Sequence, residues 1–290
     1  MVELFPQQFQ TESGYAKTFQ GQKEYQYDTG ECESGCGKQF SDESNRDQPA
    51  VEGVSFCYDD AKNNTLTDIS FTAEKNKVTA IIGGTGSGKS TVVNLITRFY
   101  DVTEGQILFG GVDIRDMLQA DLHSKIGYIP QKAVLFSGTI EDNLRYGDEN
   151  ATEERMRLAL DISQSSEFVD KMPQGIHSFV SQNGTNLSGG QKQRLSIARA
   201  LTRQSDIYIF DDSFSALDFK TDSKLRAAIR ENIDATVIIV AQRVGTIIDA
   251  DKIVVLDRGR IVGMGKHSEL MESCSVYQEI YTSQIEKEDE

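Results

Sequence analysis

The chain has 290 residues, 45 of them acidic and 30 basic, for a formal net charge of −15 at pH 7. That length suits one large α/β domain with a lobe, or two small domains. So acidic a chain lacks the basic stripe that nucleic-acid binding needs for phosphate neutralisation. The one Lys/Arg concentration in its core, at Lys192, Arg194 and Arg199, reads as a solvated or interface face.

In chain order, residues 1–48 are rich in Gln, Glu, Ser, Gly and Lys without apolar periodicity, and read as a linker or disordered segment. Their Cys32 and Cys36 have no histidine or further cysteine pair nearby, which argues against a metal site, and the four cysteines form no even framework, as suits a reducing compartment. Alternating apolar residues from Val51 to Phe71 predict antiparallel strands carrying Tyr58. The β-branched run Val78–Ile82 predicts a strand, and Thr91–Phe99 a helix. Between them stands Gly83-Gly84-Thr85-Gly86-Ser87-Gly88-Lys89-Ser90, a complete G-x-x-x-x-G-K-[ST] loop in the strand–loop–helix setting it requires. Its glycines let backbone N–H groups turn toward phosphate oxygens, and the helix adds its positive end. Lys89 supplies a mobile charge for the β- and γ-phosphates, and the Ser90 hydroxyl is placed for Mg²⁺. A nucleoside triphosphate is the expected ligand.

Gln106–Phe109 predicts a short strand, with Gly110-Gly111 as its turn. From Gln131 to Leu187 the pattern turns helical, at Ile140–Tyr146, Thr152–Ile162 and Glu167–Lys171, which predicts a helical lobe over about residues 132–187. Leu187-Ser188-Gly189-Gly190-Gln191 then opens a helix whose apolar face is Leu195, Ala198 and Leu201. Two glycines ahead of a helix again suit a phosphate contact. Ile207–Asp211 is an apolar strand ending in a carboxylate suited to Mg²⁺. Helix Lys220–Asn232, strand Thr236–Val240, strands Lys252–Leu256 and Arg260–Met264 about Gly259, and a helical tail from Lys266 complete the series, with a solvated acidic end at 286–290. The alternation predicts an α/β fold with a mainly parallel sheet and its site at the strand C-terminal ends. The longest apolar runs, Val78–Ile82 and Ala235–Ala241, fall far short of the ~20 residues of a spanning helix, and no secretory signal opens the chain.

With the phosphate loop, Leu187–Gln191 and Asp211 in this order and spacing, the chain resembles an ATP-binding cassette (ABC) ATPase over roughly residues 50–285. The resemblance implies a P-loop NTPase core with an antiparallel β subdomain and a helical signature subdomain, in one domain spanning 49–285. It implies ATP and Mg²⁺ as cofactors. Tyr58 matches the aromatic that stacks on adenine, although a core strand aromatic is the other reading of that position. The nucleotide set becomes Tyr58, the loop from Gly83 to Ser90 with Gly84, Thr85, Gly86, Ser87, Gly88 and Lys89, and Thr91; Ser90, Gln131 and Asp211 serve the metal. Gln131 also matches the residue beside the attacking water that links core to lobe. Ser215-Ala216-Leu217-Asp218 matches the loop that crosses between cassettes. In this family two cassettes pack head to tail, so that Ser188, Gly189, Gly190 and Gln191 complete a partner's site.

Leu135–Leu144 looks like the exporter type, which implies membrane domains as partners and a place at the cytoplasmic face of the membrane. Soluble relatives of DNA repair, chromosome organisation or translation carry coiled-coil arms, zinc insertions or paired cassettes, and none shows in the chain. Three positions depart from the family pattern. Asp212 stands where a catalytic glutamate is usual, Gln242 where a histidine is usual, and Gln182 where exporters commonly carry glutamate. Aspartate is one C–C bond shorter, roughly 1.5 Å, and a glutamine amide neither carries charge nor shuttles a proton. The combination resembles the degenerate-site subunit of heterodimeric exporters, whose partner is a different chain with the consensus glutamate. Useful turnover with aspartate and glutamine, or an ATP-gated regulatory role without turnover, both stay open on sequence alone.

Overall fold

A computed structural model describes residues 48–59 and 61–288, with the side chains beyond residue 285 left aside. The predicted N-terminal linker, with Cys32 and Cys36, lies outside the described residues but for residue 48. The alternating segment forms β1 (Pro49–Phe56) and β2 (Leu66–Thr72), antiparallel, with Val51 opposite Phe71 and Val54 opposite Ile69. β3 (Val78–Gly83) leads through the glycine loop into α1 (Lys89–Ile96). β4 (Glu104–Phe109) returns to the other side of β1, and β5 (Val112–Asp113) folds back on it. The resulting sheet, in the order β2-β1-β4-β5, is the expected antiparallel region. α2 (Gln119–Lys125) and β6 (Ile126–Ile129) follow. The apolar pattern does not announce β6, since four residues are too few to display a period.

The helical lobe holds β7 (Gly138–Thr139), α3 (Ile140–Arg145), α4 (Glu153–Ile162), α5 (Ser166–Asp170) and β8 (Phe179–Val180), with β7 and β8 paired. Thr139 and Thr152 accept bonds from first-turn N–H groups, which explains where α3 and α4 begin. α6 (Gly189–Thr202) is next, then β9 (Ile207–Asp211), α7 (Phe219–Asn232), β10 (Thr236–Ala241) and α8 (Val244–Ile247). β11 (Lys252–Asp257), β12 (Arg260–Gly265), α9 (His267–Ser273) and α10 (Ser275–Glu288) complete the chain.

The main sheet runs β12-β11-β3-β10-β9-β6, with β12 the antiparallel edge and the other neighbours parallel. β9 and β10 are buried at every residue, as strands covered on both faces must be, and so they read as unbroken apolar runs. One core cluster fills one side of this sheet, with Phe210, Leu225, Val255 and Tyr277. A second lies toward the antiparallel sheet and α1, with Leu66, Ile69, Val93 and Ile107. The lobe has its own cluster, from Leu135 and Ile140 to Leu195 and Ala198. α6 serves two cores: Leu195 and Ala198 enter the lobe, while Ile197 and Leu201 enter the main one. Each of these leucine and isoleucine side chains contributes about 1.5–3 kcal/mol when fully buried, so α6 belongs to both bodies and ties them together. Cys57 and Cys274 are free thiols. Among the described residues no helix is long and apolar enough to cross a membrane.

Candidate nucleotide site

Four adjacent parallel strands, β3, β10, β9 and β6, end on the same side, with neighbours ~4.8 Å apart. Their C-terminal ends present Gly83, Gln242, the pair Asp211 and Asp212, and Gln131, from segments far apart in sequence. Gly88 begins α1 with φ of 105°, and a Cβ there would stand 2.5 Å from Leu66 Cδ2. Only glycine meets both the left-handed backbone and the close approach. Lys89 is 9% exposed, and its Nζ donates to Gly83 O at 2.7 Å and Gly84 O at 2.8 Å, which lays the ammonium across the loop. Burial pulls this ammonium below its ordinary pKa, against the opposing pull of Asp212 and Asp211.

Ser87 Oγ is buried without a hydrogen-bond partner among the described residues, and nothing crowds the Cα positions of Gly84 and Gly86. Thr85 and Ser90 are exposed beside them. An orphaned donor, an open glycine cradle and a lysine fit a polyphosphate. Ser90, Gln131 and Asp211 supply only oxygen donors, as Mg²⁺ prefers. No cluster of three or more His, Cys, Asp or Glu suited to a metal occurs among the described residues, so any ion here would rely on phosphate oxygens as well.

Asp211 ends β9, and Asp212 follows with φ of 47°. Both residues are buried. Burial raises the pKa of Asp211, with Asp212's charge adding to the rise and a hydrogen bond from the Tyr128 hydroxyl, at 3.3 Å, opposing it. Burial raises Asp212 too, opposed first by the Gln131 amide. Gln131 Nε2 and Gln242 Nε2 donate to the same oxygen, Asp212 Oδ2, at 2.8 and 2.7 Å. The three residues expected at a hydrolytic centre therefore meet on one atom. Gln193, on α6, donates to Pro130 O at 3.3 Å, so the lobe holds the segment bearing Gln131.

Tyr58 is half-buried, with its hydroxyl 3.2 Å from Thr91 Oγ1 and its ring edge-on to Phe56 and Tyr100 at 4.8 and 5.2 Å. The ring belongs to an aromatic cluster that opens to solvent at Tyr100. Behind the loop, Gly259 N donates to Ser87 O at 3.1 Å and Gly259 O accepts from Thr67 N at 2.8 Å. A Cβ at Gly259 would lie 2.2 Å from Thr65 O.

Ser188 caps α6 in a reciprocal box with Gln191: Ser188 Oγ accepts from Gln191 N, and Gln191 Oε1 from Ser188 N. Gly189 is open, and Gly190 lies against the Ala216 carbonyl, 3.6 Å from where its Cβ would be. Exposed Ser188 and Gly189 thus stand beside exposed Ser215 and Ala216 in the same chain. Asp218 caps α7 through Thr221 N at 3.0 Å, and Gln182 sits exposed in a short 3-10 turn. Sequence reasoning missed Tyr128, on the unannounced β6, and Tyr100, which no motif contains.

The ABC transporter family model matches residues 66–215. An uncharacterised ABC transporter ATP-binding protein of Mycobacterium tuberculosis is 48% identical over 238 residues, covering 81% of this chain and 40% of that protein. One of Bacillus subtilis is 42% identical over 235 residues, covering 81% and 41%. A solved structure, a bacterial Atm1-family ABC exporter with ATP bound, superposes with a TM-score of 0.79 at 37% identity, over 83% of this chain and 42% of the other. The chain spans about two-fifths of the length of these relatives.

Proposed function

Because the chain belongs to the ABC transporter family, we propose that it is the nucleotide-binding part of an exporter, with an own site that retains ATP and hydrolyses it slowly. The exporter assignment is supported by Leu135–Leu144 and by the likeness to an exporter structure. The slow site rests on one observation: Asp212 Oδ2 is anchored by an N–H of the Gln242 amide and by Gln131 on the same oxygen.

In this reading Lys89 and the loop N–H groups hold the phosphates, and Tyr58 holds the base. Ser90, Gln131 and Asp211 would hold Mg²⁺, which when bound neutralises charge on the phosphate oxygens. Asp212 remains a carboxylate near the reacting centre, but it is short and anchored by two amides. A base must reach hydrogen-bonding distance of its proton, and this one is drawn back toward Gln131 and Gln242. Gln242 gives one amide N–H to Asp212 and turns the other toward the γ-phosphate, where it donates without a charge. ATP then serves mainly to hold two cassettes together.

The exposed Ser188 and Gly189, with half-buried Gly190 and Gln191, would complete the site of a partner cassette, best a different chain with a consensus glutamate. The pair would work beneath membrane domains, at the cytoplasmic face of the membrane, with no nucleic acid involved. A second reading is a regulatory subunit whose site binds ATP without turning it over, and the same anchored carboxylate favours it in stronger form.

The test is ATP hydrolysis by the parent beside the double variant Asp212→Glu, Gln242→His, at concentrations where cassettes pair. A slow parent and a fast variant are expected. A parent as fast as the variant sinks the slow-site reading, and a parent that binds ATP with no turnover selects the regulatory one.

A further inference from the structure

The last helix reaches back to the hydrolytic centre. α10 carries Tyr277, Tyr281 and Gln284 at a spacing that puts them on one face. Tyr277 is fully buried, with its hydroxyl 2.9 Å from His267 Nδ1. Tyr281 packs against the main core, its ring 5.5 Å from that of His267. These contacts anchor the helix a turn before Gln284.

Gln284 Nε2 donates to Gln242 O at 2.7 Å, and Gln284 Oε1 accepts from Val244 N at 2.8 Å. One amide thus closes on the backbone on both sides of Arg243. The segment needs such a hold: β10 ends at Ala241 and α8 starts at Val244, so residues 242 and 243 belong to neither element. The Arg243 side chain makes no cap bond, which would leave a first-turn N–H of α8 orphaned. Gln284 supplies the missing cap from another helix, and the connection runs on through the Gln242 amide to Asp212 Oδ2.

We propose that Gln284 is a positioning residue for the hydrolytic centre, holding the Gln242 backbone so that the Gln242 side chain faces Asp212 and the γ-phosphate of bound ATP. This deepens the proposed function and rests on its reading of Gln242 as a γ-phosphate contact. Gln284 bonds only the backbone of residues 242 and 244, so its effect runs through Gln242.

The test uses the full chain with Gln284→Ala and Gln284→Glu, reading amide hydrogen exchange at Val244 and dissociation constants for Mg-ATPγS and Mg-ADP. A neutral hydrogen bond is worth about 0.5–1.5 kcal/mol, or roughly two- to twelvefold. In Gln284→Ala, Val244 exchanges faster by about that factor, ATPγS binding weakens by about that factor, and ADP binding holds. Gln284→Glu keeps the acceptor for Val244 and loses the donor to Gln242. Its Val244 protection therefore stays while ATPγS binding falls, a readout that survives even if alanine frays the helix end.

Parental protection of Val244 in Gln284→Ala overturns the proposal, as does equal weakening of ATPγS and ADP. Gln242→Ala separates the two readings. If it lowers the preference for ATPγS and Gln284→Ala does not, the positioning role fails alone. If Gln242→Ala leaves the preference unchanged, the reading of Gln242 fails and the proposal with it.

Discussion

Asp212→Glu separates the short carboxylate from the neutral residue at 242. Asp212 Oδ2 holds both amides at 2.8 and 2.7 Å, and one added C–C bond carries the carboxyl about 1.5 Å further out. A positioned general base contributes about 10²–10⁴ in rate. With Gln242 still uncharged the gain belongs at the low end, about 10² in kcat or ~2.7 kcal/mol of barrier. The same change carries a penalty in the backbone. Residue 212 has φ of 47°, a region that disfavours an ordinary L-residue by roughly 1–2 kcal/mol and aspartate by less, because its short side chain bonds locally. Glutamate therefore destabilises the fold by about 1 kcal/mol, seen as a Tm lower by about 2–4 °C in a domain of this size. Phosphate release at saturating Mg-ATP and thermal unfolding of the nucleotide-free chain read the two effects, which have opposite signs. An unchanged kcat refutes the claim that carboxylate length limits turnover, and a raised Tm refutes the backbone argument.

Burial holds the Asp211 carboxyl above its ordinary 3.8, so the native state keeps that proton to higher pH than the unfolded chain does. This contribution to stability therefore falls as pH rises from 3.8 through the raised value. Asp211→Asn removes the penalty and raises Tm at pH 7, by about 2–4 °C for each kcal/mol gained; the gain shrinks as pH falls toward 4, and a pH-independent gain would contradict it. Tyr58→Ala weakens ATP binding by about 1–3 kcal/mol, the usual worth of stacking on a base, whereas Tyr58→Phe loses only the bond to Thr91 and stays near the parent. Equal losses for the two in a fluorescent-nucleotide titration would remove the stacking role. Gly259→Ala places a Cβ 2.2 Å from Thr65 O at a φ of 74°, and a loss of at least about 2 kcal/mol in denaturant unfolding is expected.

The phosphate loop, the signature turn and β9 are legible in sequence because each is local: glycines, a cap and an apolar run signal themselves within ten residues. The parallel core was predictable from its unbroken apolar strands, and β9 and β10 are buried throughout. β6 was not, since its four residues carry no period, and with it went Tyr128 and its hydroxyl on Asp211. The sharing of Asp212 Oδ2 by Gln131 and Gln242 was also beyond reach, because strand order in a sheet decides which C-terminal ends are neighbours. Gln284 looks like any polar helix residue, and only the packing of Tyr277 beneath it brings it to residue 242. The dual membership of α6 in two cores is half visible in sequence: the stripe Leu195, Ala198 and Leu201 reads as one face, yet Leu201 turns to a different core from the other two.

The backbone bonds of Gly259, to Ser87 on one side and Thr67 on the other, make the base-side sheet and the phosphate loop a single frame before any nucleotide arrives. If Tyr58 takes the base as proposed, the span from adenine to phosphate is built in as a fixed gauge, and a ligand of the right length binds without having to organise it. Gln131 belongs to the other side of that division, on the segment tied to α6 and through it to the lobe. A swing of the lobe would alter what stands beside the terminal phosphate while leaving the grip on the base as it was. Residence of ATP and its breakdown would then answer to different parts of the molecule, which lets one be prolonged without the other.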